Sequence, residues 1–125
     1  MQALQWHRRE RAAVSQAIRI YIAGPMTGLP EFNYPAFRLA ADKLRASGFR
    51  VTSPNELHVG TDQSWDFYMR SAIKALVDCD VIFMLRNWEL SRGALIEYDL
   101  AKKLGFGVIY EADFFPFPIP TGLPE

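Results

Sequence analysis

The chain has 125 residues, 50% of them hydrophobic, and a formal net charge of zero. This size and composition predict a single soluble globular domain and exclude a disordered chain. The balanced charge argues against a nucleic-acid polymer as partner, and no apolar run approaches the roughly 20 residues of a membrane span. We therefore expect a cytoplasmic protein without a membrane partner.

Hydrophobic periodicity divides the chain into alternating strands and helices. Residues 18–23 are rich in β-branched and aromatic side chains and predict a strand that ends at Gly24. Residues 80–85 are apolar at nearly every position, as in a strand covered on both faces. Apolar residues at helical spacing mark the helices, and Gly48 and Gly105 end two of them. In chain order the predicted elements are a helical extension over 1–18, strands over 18–23, 49–52, 80–85 and 107–110, and helices over 33–47, 64–77 and 91–104.

Strands that alternate with helices predict right-handed βαβ units and an open parallel sheet. The fold class is therefore α/β, a single-domain doubly wound sheet of four to five strands with flanking helices, Rossmann-like or flavodoxin-like. We expect this domain to span residues 19–113, after the extension over 1–18 and before a tail over 114–125. The prolines of the tail exclude a helix over 114–120, and its phenylalanines predict packing on this subunit or a partner.

Two segments fall where an open parallel sheet binds ligands, beyond the carboxyl ends of its strands. The first is the loop over residues 24–28, and the second is the junction at Ser91 between the third strand and its helix. The glycines of the loop permit close backbone approach, but their spacing fits neither the dinucleotide fingerprint nor a Walker sequence. The loop is therefore either a tight turn or a part of a binding site.

Glu97 is the residue that most directly suggests chemistry. It lies one to two turns inside the third helix among small neighbours, where a carboxylate is rarely placed for packing alone. Either Glu97 pairs with Tyr21, Arg92 or Lys102, or it takes part in a reaction. Ser91 occupies the N-cap position, where it either caps the helix only or, with the first helix amides, holds an anion or a sugar hydroxyl.

Three motifs in a fixed order resemble those of the nucleoside 2-deoxyribosyltransferase superfamily, which includes the 2'-deoxynucleoside 5'-phosphate N-hydrolases. They are Tyr21-Ile22-Ala23-Gly24-Pro25, Cys79-Asp80-Val81-Ile82 and Ser91-x-Gly93-x-x-x-Glu97-x-x-x-Ala101. Over residues 19–110 the chain resembles most fully the short bacterial and phage members of unassigned function. The longer motifs shared with them are Gly24-Pro25-Met26-Thr27-Gly28 and Asn87-Trp88-Glu89-x-Ser91-Arg92-Gly93-Ala94.

The resemblance implies cleavage of the N-glycosidic bond of a 2'-deoxynucleoside or its 5'-monophosphate, by hydrolysis or by base exchange. Glu97 would attack C1' and form a glycosyl ester, which water or another base then resolves. Tyr21 would orient Glu97, Gly24 would let the sugar lie against the backbone, and Ser91 would bind phosphate. The other predicted substrate-binding residues are Pro25, Met26, Arg92, Gly93 and Trp88, the last either a base-stacking platform or a packing residue.

The chain departs from the superfamily at three places. An aspartate that assists proton transfer to the base usually stands eight residues before the equivalent of Asp80, where this chain has Ala72. Pro25 and Thr27 replace the serine and arginine with which the hydrolases hold phosphate. We identify no equivalent of the amide or carboxylate that a neighbouring subunit supplies in the transferases. The acids that would substitute at the missing position are Asp66, Asp78 and Glu89.

These departures leave two other functions open. Ala72 favours a nucleoside- or nucleotide-binding module that kept the pocket and lost the chemistry, and the aromatic tail favours an interaction protein. The single cysteine, Cys79, excludes an internal disulfide, and His7 and His58 show no ligand spacing. We therefore expect no metal and no cofactor. A short sheet leaves apolar surface on its outer helices, which predicts a homo-oligomer, a dimer or higher.

Overall fold

A computed structural model describes residues 17–57 and 64–115 of the chain. Its elements, in chain order, are β1 (Arg19–Ala23), α1 (Tyr34–Ala46), β2 (Arg50–Thr52), α2 (Trp65–Leu76), β3 (Val81–Met84), α3 (Arg92–Lys103), β4 (Gly107–Tyr110) and α4 (Glu111–Phe114). The predicted elements from the first strand to the fourth are all present, with bounds shifted by one residue at most ends. The short helix α4 was not predicted, and its last residue, Phe114, lies at the start of the segment for which a helix was excluded, ahead of the first proline of that segment. The predicted helical extension and most of the tail fall on residues 1–16 and 116–125, outside the described ranges.

The four strands of the described residues form one parallel sheet in the order β2-β1-β3-β4. This is the flavodoxin-like order, and it confirms the predicted single-domain α/β fold class. The winding reverses between β1 and β3, which pair with Tyr21 opposite Ile82. The crevice beyond the carboxyl ends of these two strands is where this topology binds ligands.

Both faces of the sheet are covered by helices. Because side chains alternate along a strand, Ile20 and Ile22 face α1, whereas Tyr21 and Ala23 face α2 and α3. The core on the α1 face includes Phe37. This alternation explains the continuous apolar run of the strand, and it directs the hydroxyl of Tyr21 toward α3.

Two surface features bear on the remaining predictions. Among the described residues, no helix has the length and apolarity to cross a bilayer. Leu95 and Ile96 are 43% and 39% exposed on the outer side of α3. The homo-oligomer stays a prediction.

Candidate active site

A tyrosine on β1 and a glutamate on α3 meet in the interior at the reversal of the sheet. Tyr21 is fully buried, Glu97 is 5% exposed, and the Tyr21 hydroxyl donates a hydrogen bond to Oε2 of Glu97. Of the three partners that the sequence left open for this carboxylate, Tyr21 is the one in contact. The pair joins residues 76 positions apart in the chain, and it exists because β1 presents Tyr21 to the helix that carries Glu97.

Burial controls the protonation of this pair. Loss of solvation raises the pKa of Glu97 to about 7, although the hydrogen bond from Tyr21 acts to lower it. Burial and the neighbouring charge of Glu97 raise the pKa of Tyr21 well above its ordinary value, so its hydroxyl keeps its proton and remains a donor. Glu97 therefore gains or loses its proton near neutral pH. A pKa shifted in this way is common among catalytic acids, bases and nucleophiles.

Glu97 lines a small cavity, the inner cavity, at the carboxyl edge of the sheet. Its volume of about 40 Å³ has room for only a few water molecules. Tyr68 and Met69 of α2 and Met26 of the β1–α1 loop contribute to its wall. The carboxylate is thus enclosed by aromatic and thioether side chains, which accounts for its strong desolvation.

A larger space, the outer cleft, adjoins the inner cavity. Its volume of about 380 Å³ lies in the range of small-molecule sites. The Arg92 guanidinium lies 4.0 Å from the centroid of the Trp65 ring at this cleft, in a cation–π contact. Five residues line both spaces: Met26, Thr27, Trp65, Ser91 and Gly93. The outer cleft therefore leads toward Glu97.

The structure gathers six of the seven predicted substrate-binding residues at these two spaces. They are Gly24, Pro25, Met26, Ser91, Arg92 and Gly93. The seventh, Trp88, packs against Tyr98 with ring centroids 4.4 Å apart and against Tyr110 at 6.1 Å. Trp88 lines neither the inner cavity nor the outer cleft, because the turn after β3 directs its ring toward α3 and β4. Trp65 is the tryptophan at the cleft.

Both glycines of the predicted site have a packing reason. A Cβ on Gly24 would lie 2.7 Å from Cβ of Leu85, so the glycine lets the end of β1 lie close to the end of β3. A Cβ on Gly93 would lie 2.9 Å from Sδ of Met69, so this glycine brings α2 close to α3. The sequence alone suggested approach of a ligand at both positions. The structure shows that Cβ of Leu85 requires the space at Gly24, whereas the neighbour at Gly93 is the adaptable side chain of Met69.

Ser91 caps α3. Its Oγ accepts a hydrogen bond from the Ala94 amide at 3.1 Å, which fits the preference for serine at this position. Its hydroxyl also lies at the wall of both spaces and can still donate toward them. The amides of Arg92 and Gly93 lie in the first turn of α3, where they have no acceptor within the helix, and they form the positive end of the helix dipole. The cap is confirmed, and the geometry also suits an oxyanion.

Position 72 is part of the core. Ala72 is fully buried in the cluster that contains Tyr21. Asp66 and Glu89 are exposed, and Asp78 lies in the turn before β3, at the opposite edge of the sheet. Within the described ranges, Glu97 is the one carboxylate that lines the inner cavity or the outer cleft. None of the three acids suggested from the sequence occupies the missing position.

A further cavity of about 440 Å³ adjoins the outer cleft on the α1 side of the sheet. The buried carboxylate at this cavity is Glu111, the first residue of α4, which accepts a hydrogen bond from the Arg86 amide at 2.8 Å. The Arg86 guanidinium donates to the Phe115 carbonyl at 2.9 Å. These contacts fix α4 to the end of β3. They were not predicted, because α4 itself was not.

The chain belongs to the family described as a domain of unknown function, DUF4406, which matches residues 18–110. The match covers all four strands of the described residues and includes both Tyr21 and Glu97. No curated protein matches the chain. The description of the family names no activity, so a functional conclusion depends on the site itself.

Proposed function

We propose that this protein cleaves the N-glycosidic bond of 2'-deoxynucleosides or their 5'-monophosphates, by hydrolysis or base exchange, through a deoxyribosyl ester on Glu97. The observation that carries the proposal is the buried Tyr21–Glu97 pair beneath a ligand-sized cleft at the reversal of the sheet. The motifs that resemble the nucleoside 2-deoxyribosyltransferase superfamily support the substrate class. The family shown by comparison, DUF4406, has a description that names no activity.

The pair suits a two-step displacement. Because Tyr21 holds Oε2 of Glu97, Oε1 is the oxygen that would attack C1'. The C1'–N bond then breaks with its electron pair on the base, and a deoxyribosyl ester forms. In the second step water or another base attacks C1', and the ester oxygen leaves as the regenerated carboxylate. Tyr21 keeps its proton throughout and fixes the orientation of the carboxyl group.

The outer cleft supplies the recognition. The Trp65 ring offers a stacking face for a base, whereas Arg92 and the first amides of α3 offer donors for a phosphate or a sugar hydroxyl. The inner cavity is too small for a sugar, so C1' reaches Glu97 only when lining side chains shift. Met26 and Met69 are suited to that movement, because unbranched thioether side chains adapt their shape readily.

The test is base release from each of the four deoxynucleosides and their 5'-monophosphates, measured by chromatography. We expect Glu97→Gln to lower turnover by about 10³-fold or more, since it removes the nucleophile. A matched control is Asp99→Asn on the same helix, where the exposed carboxylate pairs with Lys103 at 3.0 Å, and this variant should turn over like the wild type. Unchanged turnover in Glu97→Gln would contradict the assignment.

A dependence on pH provides a second readout for the same role. The attacking form of Glu97 is the carboxylate, and its pKa lies at about 7. We therefore expect kcat/KM to rise with pH up to about 7 and then to level off at that limb. Intact-protein mass after rapid acid quench should also show the deoxyribosyl adduct in the wild type and not in Glu97→Gln.

A second candidate function is a binding module for the same ligands. Ala72 in the core, and the absence of another carboxylate at the two spaces within the described residues, favour it. A binding module would show a rise in melting temperature with a deoxynucleoside or its phosphate and no release of base. Base release by the wild type would show that the protein is an enzyme and not only a binding module.

A further inference from the structure

We infer that Tyr68 is a catalytic residue of the proposed reaction, which donates a hydrogen bond from its hydroxyl to the departing base. This inference rests on the proposed function, and it assigns the leaving-group role that the missing acid would have. It follows from the place of Tyr68 on α2, from its contacts and from its electrostatic surroundings.

Tyr68 stands one helical turn before Ala72 on α2. Residues four apart lie on the same side of a helix, so the two side chains project toward the same region. Ala72 is too short to leave the core, whereas the Tyr68 ring extends to the wall of the inner cavity, which Glu97 also lines. A hydroxyl at position 68 therefore reaches the space that a side chain at position 72 does not enter.

Among residues 17–57 and 64–115, the hydroxyl of Tyr68 has only a weak hydrogen-bond partner. It lies 2.9 Å from Sδ of Met26, and a thioether sulfur is a poor hydrogen-bond acceptor. Replacement of this contact by a ring nitrogen or a carbonyl oxygen of a base would give a stronger hydrogen bond. Met26 lies in the loop after β1, and under the proposed function its side chain shifts when the substrate enters. The same movement would free the Tyr68 hydroxyl to donate to the base.

The charge of Glu97 acts on Tyr68. Burial and this negative charge both raise the pKa of the Tyr68 hydroxyl above its ordinary value. The hydroxyl therefore stays protonated at neutral pH and serves as a hydrogen-bond donor, not as a source of a full proton. It is suited to stabilise the negative charge that develops on a base as the C1'–N bond breaks.

The step balances with one water molecule. The Oε1–C1' bond forms as the C1'–N bond breaks, and the electron pair moves to the base, whose acceptor atom takes the hydrogen bond from Tyr68. Water supplies the proton that makes the base neutral, and in the second step a hydroxyl group from water is added to C1'. In base exchange the incoming base replaces water: the proton that it loses from its attacking nitrogen neutralises the base that departed, and Tyr68 donates the same hydrogen bond to the incoming base as its nitrogen bonds to C1'.

Tyr68→Phe with two matched substrates tests this role. The substrates are 2'-deoxyguanosine and 7-methyl-2'-deoxyguanosine, whose positively charged base leaves as a neutral molecule without help from a donor. We expect the variant to lose about 100-fold in turnover of 2'-deoxyguanosine and to retain turnover of the methylated compound, after correction for spontaneous loss of the base. Tyr98→Phe, which removes a hydroxyl bonded to Tyr110 at 2.7 Å, is the matched control and should change neither rate.

Each result of this experiment either supports or overturns the proposed role of Tyr68. Equal losses on both substrates would assign Tyr68 to the shape of the pocket and overturn the inference, as would an unchanged rate on 2'-deoxyguanosine. Because both rates come from one preparation, their ratio does not depend on the folded fraction of the variant. If the wild type cleaves neither compound, the inference about Tyr68 fails. The proposed function still holds in that case if the wild type releases another base in the test with the four deoxynucleosides and their 5'-monophosphates.

Discussion

Replacement of Glu97 by glutamine should remove a pH dependence of stability that the buried carboxyl group creates. The pKa of Glu97 is about 7 in the folded protein, against an ordinary value of 4.5. Between these two pH values the native state binds more protons than the unfolded state, so the free energy of unfolding falls as pH rises. This difference in pKa corresponds to a contribution of roughly 3 kcal/mol to the free energy of unfolding. The contribution is fully present below pH 4.5 and is lost above pH 7.

Urea unfolding followed by tryptophan fluorescence at several pH values between 4.5 and 8 measures this term. The wild type and Glu97→Gln share all their other titrating groups, so the difference between their curves isolates Glu97. Glutamine retains an oxygen that can accept the Tyr21 hydrogen bond, which keeps the packing of the pair intact. We expect the difference in unfolding free energy to change by roughly 3 kcal/mol across this range, with the variant gaining as pH rises. Parallel curves would refute the reasoning.

Tyr21→Phe tests how the hydrogen bond from Tyr21 changes the pKa of Glu97. The Tyr21 hydroxyl stabilises the charged carboxylate, so its removal should raise the pKa of Glu97 further. The pH range over which stability falls should therefore extend above pH 7 in this variant. A shift toward lower pH would contradict the hydrogen-bond assignment, whichever stability the variant has at any single pH.

Three more predictions concern packing, capping and an ion pair, all measured by urea unfolding. Ser91→Ala should lose about 1 kcal/mol with the cap of α3, and Ser91→Gly less. Gly24→Ala should lose about 1–3 kcal/mol because its Cβ would lie 2.7 Å from Cβ of Leu85, an atom that every residue except glycine would keep at position 85. Arg45 lowers the pKa of the exposed Glu56 through two hydrogen bonds, so Glu56→Gln should lose about 0.5 kcal/mol at pH 7. That loss should disappear in acid, where Glu56 is protonated, and shrink in high salt.

The strands could be predicted because a buried strand shows a continuous run of apolar residues in the local sequence. Residues 80–85 are apolar since β3 lies between β1 and β4 with helices on both faces. The bounds differ by one residue because ladder bonding continues past the strand, as when the Leu85 amide donates to the Ala23 carbonyl at 2.8 Å. The four residues of α4 give no helical periodicity, so that helix could not be predicted.

The site was only partly readable from the sequence. Glu97 stood out because a carboxylate is unusual on the apolar side of a helix, but its partner depends on how α3 packs on β1. Tyr68 follows the ordinary pattern of an amphipathic helix, so nothing local marks it as a cavity residue. The tryptophan chosen from the sequence, Trp88, lies in the predicted loop but faces away from the cleft because of the turn that carries it.

The close approach of α2 and α3 links the two chemical features of the site. Gly93 allows Met69 to pack where a Cβ would stand, and this approach brings the face of α2 with Tyr68 to the cavity of Glu97. Ala72, one turn after Tyr68 on α2, is fully buried in the core. Ala72 thus packs in the core, whereas Tyr68, one turn earlier, reaches the cavity of Glu97, so under the inferred role of Tyr68 alanine at position 72 does not leave the departing base without a donor.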